Sequence, residues 1–203
     1  MQSTPDAQIA IIALFLALLI SGCAGTSSQP TRFYRLDGQP GKTETISLIP
    51  LPGQPLLGIG PIKLAAYLDR PQIIERQTRH RLQLHEFDHW AGSLQENIVQ
   101  VVTHSMRQKL TDMKVIAYPW HGTVRPDYEV LMTVNRFERE GDRIWLQLRW
   151  SLIRSSDNRL MEMQRLAIEE PLQGSGVEAS VVAANRALGQ MAEEMATAIH
   201  SME

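Results

Sequence analysis

The sequence predicts a single α/β domain with a mixed, largely antiparallel sheet and two principal amphipathic helices. Three observations carry this. Apolar and polar residues alternate with period two through residues 128–153, and a third run at 159–169 completes a three-strand meander. Two further segments, 94–110 and 177–199, instead repeat apolar residues at three- and four-residue spacing. Short β-rich runs bounded by Gly and Pro fill the region before the first helix.

The chain has 203 residues, a formal charge of −2, 43% hydrophobic and 21% charged residues, which suits one globular core. That balance carries no general attraction to nucleic acid or anionic surfaces. Ile9 to Ile20 is an unbroken apolar run followed by Ser21, Gly22 and Cys23, the only cysteine. Twelve residues at 1.5 Å each fall short of a roughly 30 Å hydrocarbon layer, so the run reads as a secretory signal rather than a membrane span. Residues 1–10 depart from that pattern in containing Asp6 and no Lys or Arg.

Leu19-Ile20-Ser21-Gly22-Cys23 resembles the lipobox of bacterial lipoproteins, in which the thiol is acylated and the chain cut before it. The resemblance implies a signal peptide over 1–22 and a covalent lipid on Cys23. Residues 23–31, small, polar and containing Pro30, then read as a tether, and 32–203 as the domain. With Cys23 spent on lipid, the domain has no disulfide and is held by packing.

Phe33 to Leu36 is a plausible first strand, and a Gly/Pro-rich loop over 38–55 is interrupted only by the β-prone Ile46 to Ile49. Leu56 to Ile62 reads as a buried strand with a Gly/Pro irregularity. Leu68 to Pro71 is a turn, and 72–77 and 81–84 are short strands joined near Thr78-Arg79-His80. Ser93-Leu94-Gln95-Glu96 is a capping box that opens the first helix, with Leu94, Ile98, Val101, Val102, Met106 and Leu110 as its apolar stripe. Residues 114–117 form a strand and 119–122 a turn.

In the hairpin, Val130, Met132, Val134, Ile144, Leu146, Leu148, Trp150 and Leu152 mark the buried face. The other face carries Leu131, Phe137, Trp145 and Ile153, so it is covered by a helix or meets a partner. Ser175-Gly176-Val177-Glu178 reads as a second capping box. Val177, Val181, Ala184, Leu188, Met191, Met195 and Ile199 form the stripe of the helix it opens. Ala179, Ala183, Ala187 and Ala192 allow that helix to lie close on the sheet.

One motif points to catalysis. His85-Glu86-Phe87-Asp88-His89 satisfies H-E-x-x-H, which binds zinc when a helix turns both imidazoles toward one ion. Here residues 81–84 look like a strand and the helix starts after His89, so the two rings need not converge. No third ligand is evident among His80, His104 and Glu96. The competing expectation is a strand-to-helix connection in which Phe87 and Trp90 bury their rings and the histidines are solvated. No phosphate-binding loop, nucleophile elbow or dinucleotide fingerprint is present. The nine methionines suit a core more than an adaptable binding surface.

Four blocks stand out together: Gly60 to Leu64 with Tyr67-Leu68-Asp69-Arg70-Pro71-Gln72-Ile73, Trp90 with Leu94, Pro126-Asp127-Tyr128 through Asn135-Arg136-Phe137-Glu138, and Leu148 to Leu152. In this order they resemble the ABC-type transport auxiliary lipoproteins. The resemblance implies a non-enzymatic, periplasm-facing lipoprotein. Its partners would be an MCE-type periplasmic component with its ABC machinery, moving phospholipid or other hydrophobic molecules, and the membrane through its lipid. Homo-oligomerisation stays open, and no nucleic acid or cofactor is implied. Ala24 in place of the aspartate that retains lipoproteins in the inner membrane implies the outer membrane. The expected docking residues are Trp145, Ile153, Leu131 and Phe137. A zinc hydrolase through His85 and His89, or a lipid carrier with an internal cavity, are the alternatives.

Overall fold

The computed structural model describes residues 29–37, 53–120, 122 and 124–201. Residues 31–203 form one compact unit. The expected signal segment, Cys23, most of the expected tether and the expected strand at 46–49 lie outside the described residues.

The described chain forms eight strands and two helices. The strands are β1 (Arg32–Tyr34), β2 (Leu56–Leu64), β3 (Gln72–Thr78), β4 (Arg81–Trp90), β5 (Lys114–Ala117), β6 (Tyr128–Glu140), β7 (Arg143–Arg154) and β8 (Arg159–Pro171). Helix α1 (Leu94–Lys109) precedes β5 and α2 (Gly176–His200) ends the described chain. The meander and both helices therefore stand where their periodicities place them.

The sheet is mixed, as expected, and departs from expectation only in part of its polarity. Pairings β1–β4, β2–β5, β2–β6 and β3–β6 are parallel, and only β3–β4, β6–β7 and β7–β8 are antiparallel. The cause is connectivity. Tight turns leave a local signature between consecutive strands, whereas β2 joins β5 and β6 only after β3, β4 and α1 have intervened. Strand β6 is the spine. Along one edge it pairs with β7 over its whole length; along the other its first half pairs with β2 and its last residues with β3.

Both helices pack on one face. Ile98, Val102 and Met106 of α1, and Leu188, Met191 and Met195 of α2, are fully buried against Leu57, Ile59, Leu146, Leu148 and Trp150. Ala183, Ala187 and Ala192 are buried too, which brings the α2 backbone near its neighbours. Ser93 caps α1 by accepting the Glu96 N–H at 3.4 Å. The second capping box does not form: Ser175 occupies the N-cap position of α2 without a side-chain cap bond. Gly58 is a close-approach glycine, since a Cβ there would lie 2.7 Å from both Pro126 and Trp120.

Candidate functional site

No described helix covers the face of the meander opposite the core, which is where the sequence places a partner surface. Leu131, Trp145 and Ile153 are half-buried on it. Leu160 and Met163 of β8, each 51% exposed, extend the apolar area beside Ile153 and Leu131.

Phe137 is not there. The register of β6 against β7 shifts between Val134 and Arg136, so Asn135 is an extra residue and every later side chain changes face. Phe137 therefore opposes the core residue Leu146, is 5% exposed, and stacks on Trp90 with ring centroids 6.5 Å apart. The sequence carried a signal for this, because Asn135-Arg136 places two polar residues together within an alternating run.

The same shift turns Glu138 onto the outer face, where its side chain is nonetheless fully buried. Arg76 Nε and Arg136 Nε each donate to Oε1 at 2.8 Å. Tyr67 donates to Oε2 at 2.8 Å, and the Phe137 N–H lies 3.1 Å from the same oxygen. Burial pushes the Tyr67 hydroxyl up, and the Glu138 carboxylate adds to the shift. Arg136 also pairs with Glu140 and sits 4.7 Å over the Trp145 ring. Trp145 is thus covered by a cation–π contact and is less available to a partner than its sequence position suggests.

The H-E-x-x-H residues lie on β4, not on a helix. His85 Nε2 is 3.2 Å from Glu75 Oε2, and its Nδ1 is 3.8 Å from Asp88 Oδ2. His89 instead meets Phe33 edge-on at 6.0 Å. Among the described residues no group of three His, Cys, Asp or Glu is placed to hold a metal ion. The expected solvated connection is also corrected. Trp90 is buried but Phe87 is 40% exposed, and both histidines are half-buried because β4 continues to Trp90.

Asp88 accepts two hydrogen bonds from Arg32 of β1, at 2.7 and 2.9 Å. Burial pushes its carboxyl up, but Arg32 and Tyr34 outweigh burial and hold it below the ordinary 3.8. A depressed carboxyl adds stability that is present above its unfolded-state value and lost as pH falls through the folded one. Asp88→Asn should therefore lower the thermal midpoint at pH 7, with the gap to the parent closing as pH drops below about 4. Thermal melts across pH check this; a gap of equal size at pH 3 and pH 7 refutes it.

Between β3, β4, the end of β6 and the start of α2 lies an apolar cavity of about 30 Å³, lined by Leu68, Ile73, Trp90, Phe137, Ile144 and Val181. It has room for a water molecule and none for an acyl chain. Nor does any described helix have the length and apolarity to cross a membrane.

A model of the family described as ABC-type transport auxiliary lipoprotein component matches residues 34–196. A crystal structure of an uncharacterised protein superposes with a TM-score of 0.69 at 16% identity, covering 84% of this chain and 99% of the other. A protein from Xanthomonas campestris superposes with a TM-score of 0.64 at 21% identity, covering 82% and 93%. No curated protein sequence matches significantly. The residues carrying the resemblance sit at joints of the fold. Tyr67 holds Glu138, Leu68 is 2% exposed, Trp90 stacks on Phe137, and Asp127 accepts the Leu56 N–H at 2.8 Å.

Proposed function

The chain belongs to the ABC-type transport auxiliary lipoprotein family, and from that premise we propose that it docks an MCE-type transporter component at the outer membrane. Acylation of Cys23 fixes the domain to the periplasmic side of that membrane. The free face of the β6–β8 meander receives the partner, and the ABC machinery behind it moves phospholipid or another hydrophobic molecule between the two membranes. The role is structural and involves no bond-making by this chain. The observation that carries the docking face is its apolar area, Leu131 and Ile153 with Leu160 and Met163, which no described helix covers.

Burying an apolar side chain contributes about 1.5–3 kcal/mol and tenfold in affinity corresponds to about 1.4 kcal/mol. The double exchange Leu131→Ser with Ile153→Ser should therefore cut recovery of the transporter from detergent-solubilised membranes by about tenfold or more. Its circular dichroism and thermal midpoint should stay near those of the parent. Undiminished recovery by a folded variant would remove the docking face from the proposal.

A further inference from the structure

A row of cations crosses the same face. Lys63 of β2 stands beside Thr133 of β6, Thr133 opposite Arg149 of β7, and Arg149 opposite Arg165 of β8. At about 4.8 Å per strand the row spans about 14 Å. Lys63, Arg149 and Arg165 are all exposed. Among the described residues none of the three side chains has a hydrogen bond or an ion pair.

The surroundings offer no compensation. The rung on one side holds Leu131, Ser151 and Met163, and the rung on the other Arg136, Gln147 and Ala167. One rung further, Glu138 and Glu169 are already paired, the first with Arg76 and Arg136 and the second with Arg143. Like charges set directly opposite in a sheet cost stability. The row does not follow from general basicity, since the chain carries a net −2. Its Arg149 and Arg165 line an open depression of about 370 Å³, to which Thr133, Asn135 and Gln147 contribute polar groups.

We propose that this rung receives an acidic, amphipathic segment of a protein partner, with carboxylates on Lys63, Arg149 and Arg165 and large apolar side chains on Leu131, Ile153, Leu160 and Met163. The inference rests on the docking reading and specifies the partner's chemistry. Arginine forks match carboxylates bidentately, and the hydroxyl and amide groups beside them suit the remaining polar atoms of a peptide. A protein segment fits better than a bilayer surface. Arg149 and Arg165 border a depression within the face, which a protruding chain can enter and a flat layer of headgroups meets only at its rims.

The test uses the full lipoprotein in neutral detergent and, as probe, a fluorescent helical peptide of about 18 residues with Glu on one side and Leu on the other. Binding should weaken by about tenfold or more in the triple variant Lys63→Gln, Arg149→Gln, Arg165→Gln and in high salt. A Gln/Leu peptide should not bind. The triple variant should stay folded, because it relieves repulsion. Equal binding by parent and triple variant would overturn the proposal. So would capture of phosphatidylglycerol vesicles by the parent when the peptide is ignored, or self-association that the triple exchange abolishes. Transporter recovery separates the two readings. If Leu131→Ser with Ile153→Ser loses the transporter and the charge triple keeps it, the face docks but the acidic assignment falls. If neither loses it, the docking face itself falls.

Discussion

Glu138→Ala is expected to destabilise the domain by about 3–5 kcal/mol, the cost of removing one partner from a buried charge network. Its side chain has no exposed surface, and the Arg76 and Arg136 side chains it holds are only 18% and 17% exposed. Truncation leaves two guanidinium groups half-buried, with the Tyr67 hydroxyl and the Phe137 N–H deprived of the same acceptor. Position amplifies the loss. Glu138 lies on β6 where its pairing passes from β2 to β3, and Tyr67 belongs to the connection between those two strands. Arg136 would also lose its fixed place over Trp145. Glu138→Gln keeps the shape and one acceptor oxygen but lacks the charge, so it should fall between parent and Ala. Urea unfolding of the three proteins gives the ranking, and a loss below about 1 kcal/mol for Glu138→Ala, the scale of an exposed ion pair, would show that the network does not hold this joint.

The same strand shows what the sequence could and could not reveal. Alternation through 128–134 and 144–152 correctly assigns Val130, Met132, Val134, Leu146, Leu148 and Trp150 to the core, because side-chain direction in a regular strand follows from parity alone. One extra residue at Asn135 breaks parity. Phe137, assigned by its chemistry to a partner surface, enters the core, and Glu138 turns to the outer face, where it holds Arg76 and Arg136. Helices α1 and α2 were legible for the converse reason, since a spacing of three and four survives without reference to any other element. The parallel pairings and the cation rung were not. Lys63, Arg149 and Arg165 are far apart in the chain, and only the register of four strands sets them in a row. The H-E-x-x-H motif taught the opposite lesson: five residues matched a pattern, and the strand that carries them keeps its histidines on different neighbours.

Cys23→Ser should transfer the protein completely from the membrane fraction to the soluble fraction. Each buried methylene of an acyl chain contributes about 0.8 kcal/mol, so two or more chains give stable anchoring where one is marginal. A serine at this position offers no thiol for the thioether and forfeits the whole of that energy. No described helix is long and apolar enough to span a bilayer, and the formal charge of −2 provides no general attraction to anionic lipid. Folding should be untouched. Cys23 is the only cysteine, so no disulfide is lost. Unchanged urea and thermal unfolding of the released protein would confirm that the residue acts on location alone. The docking face should also keep its intrinsic affinity, yet transporter recovery should fall. An anchored domain meets its partner at a high effective concentration, and a released one meets it only by free diffusion. Fractionation in high salt decides the matter: a Cys23→Ser protein that stays with the membrane is held by something other than its lipid, and the anchor assignment fails.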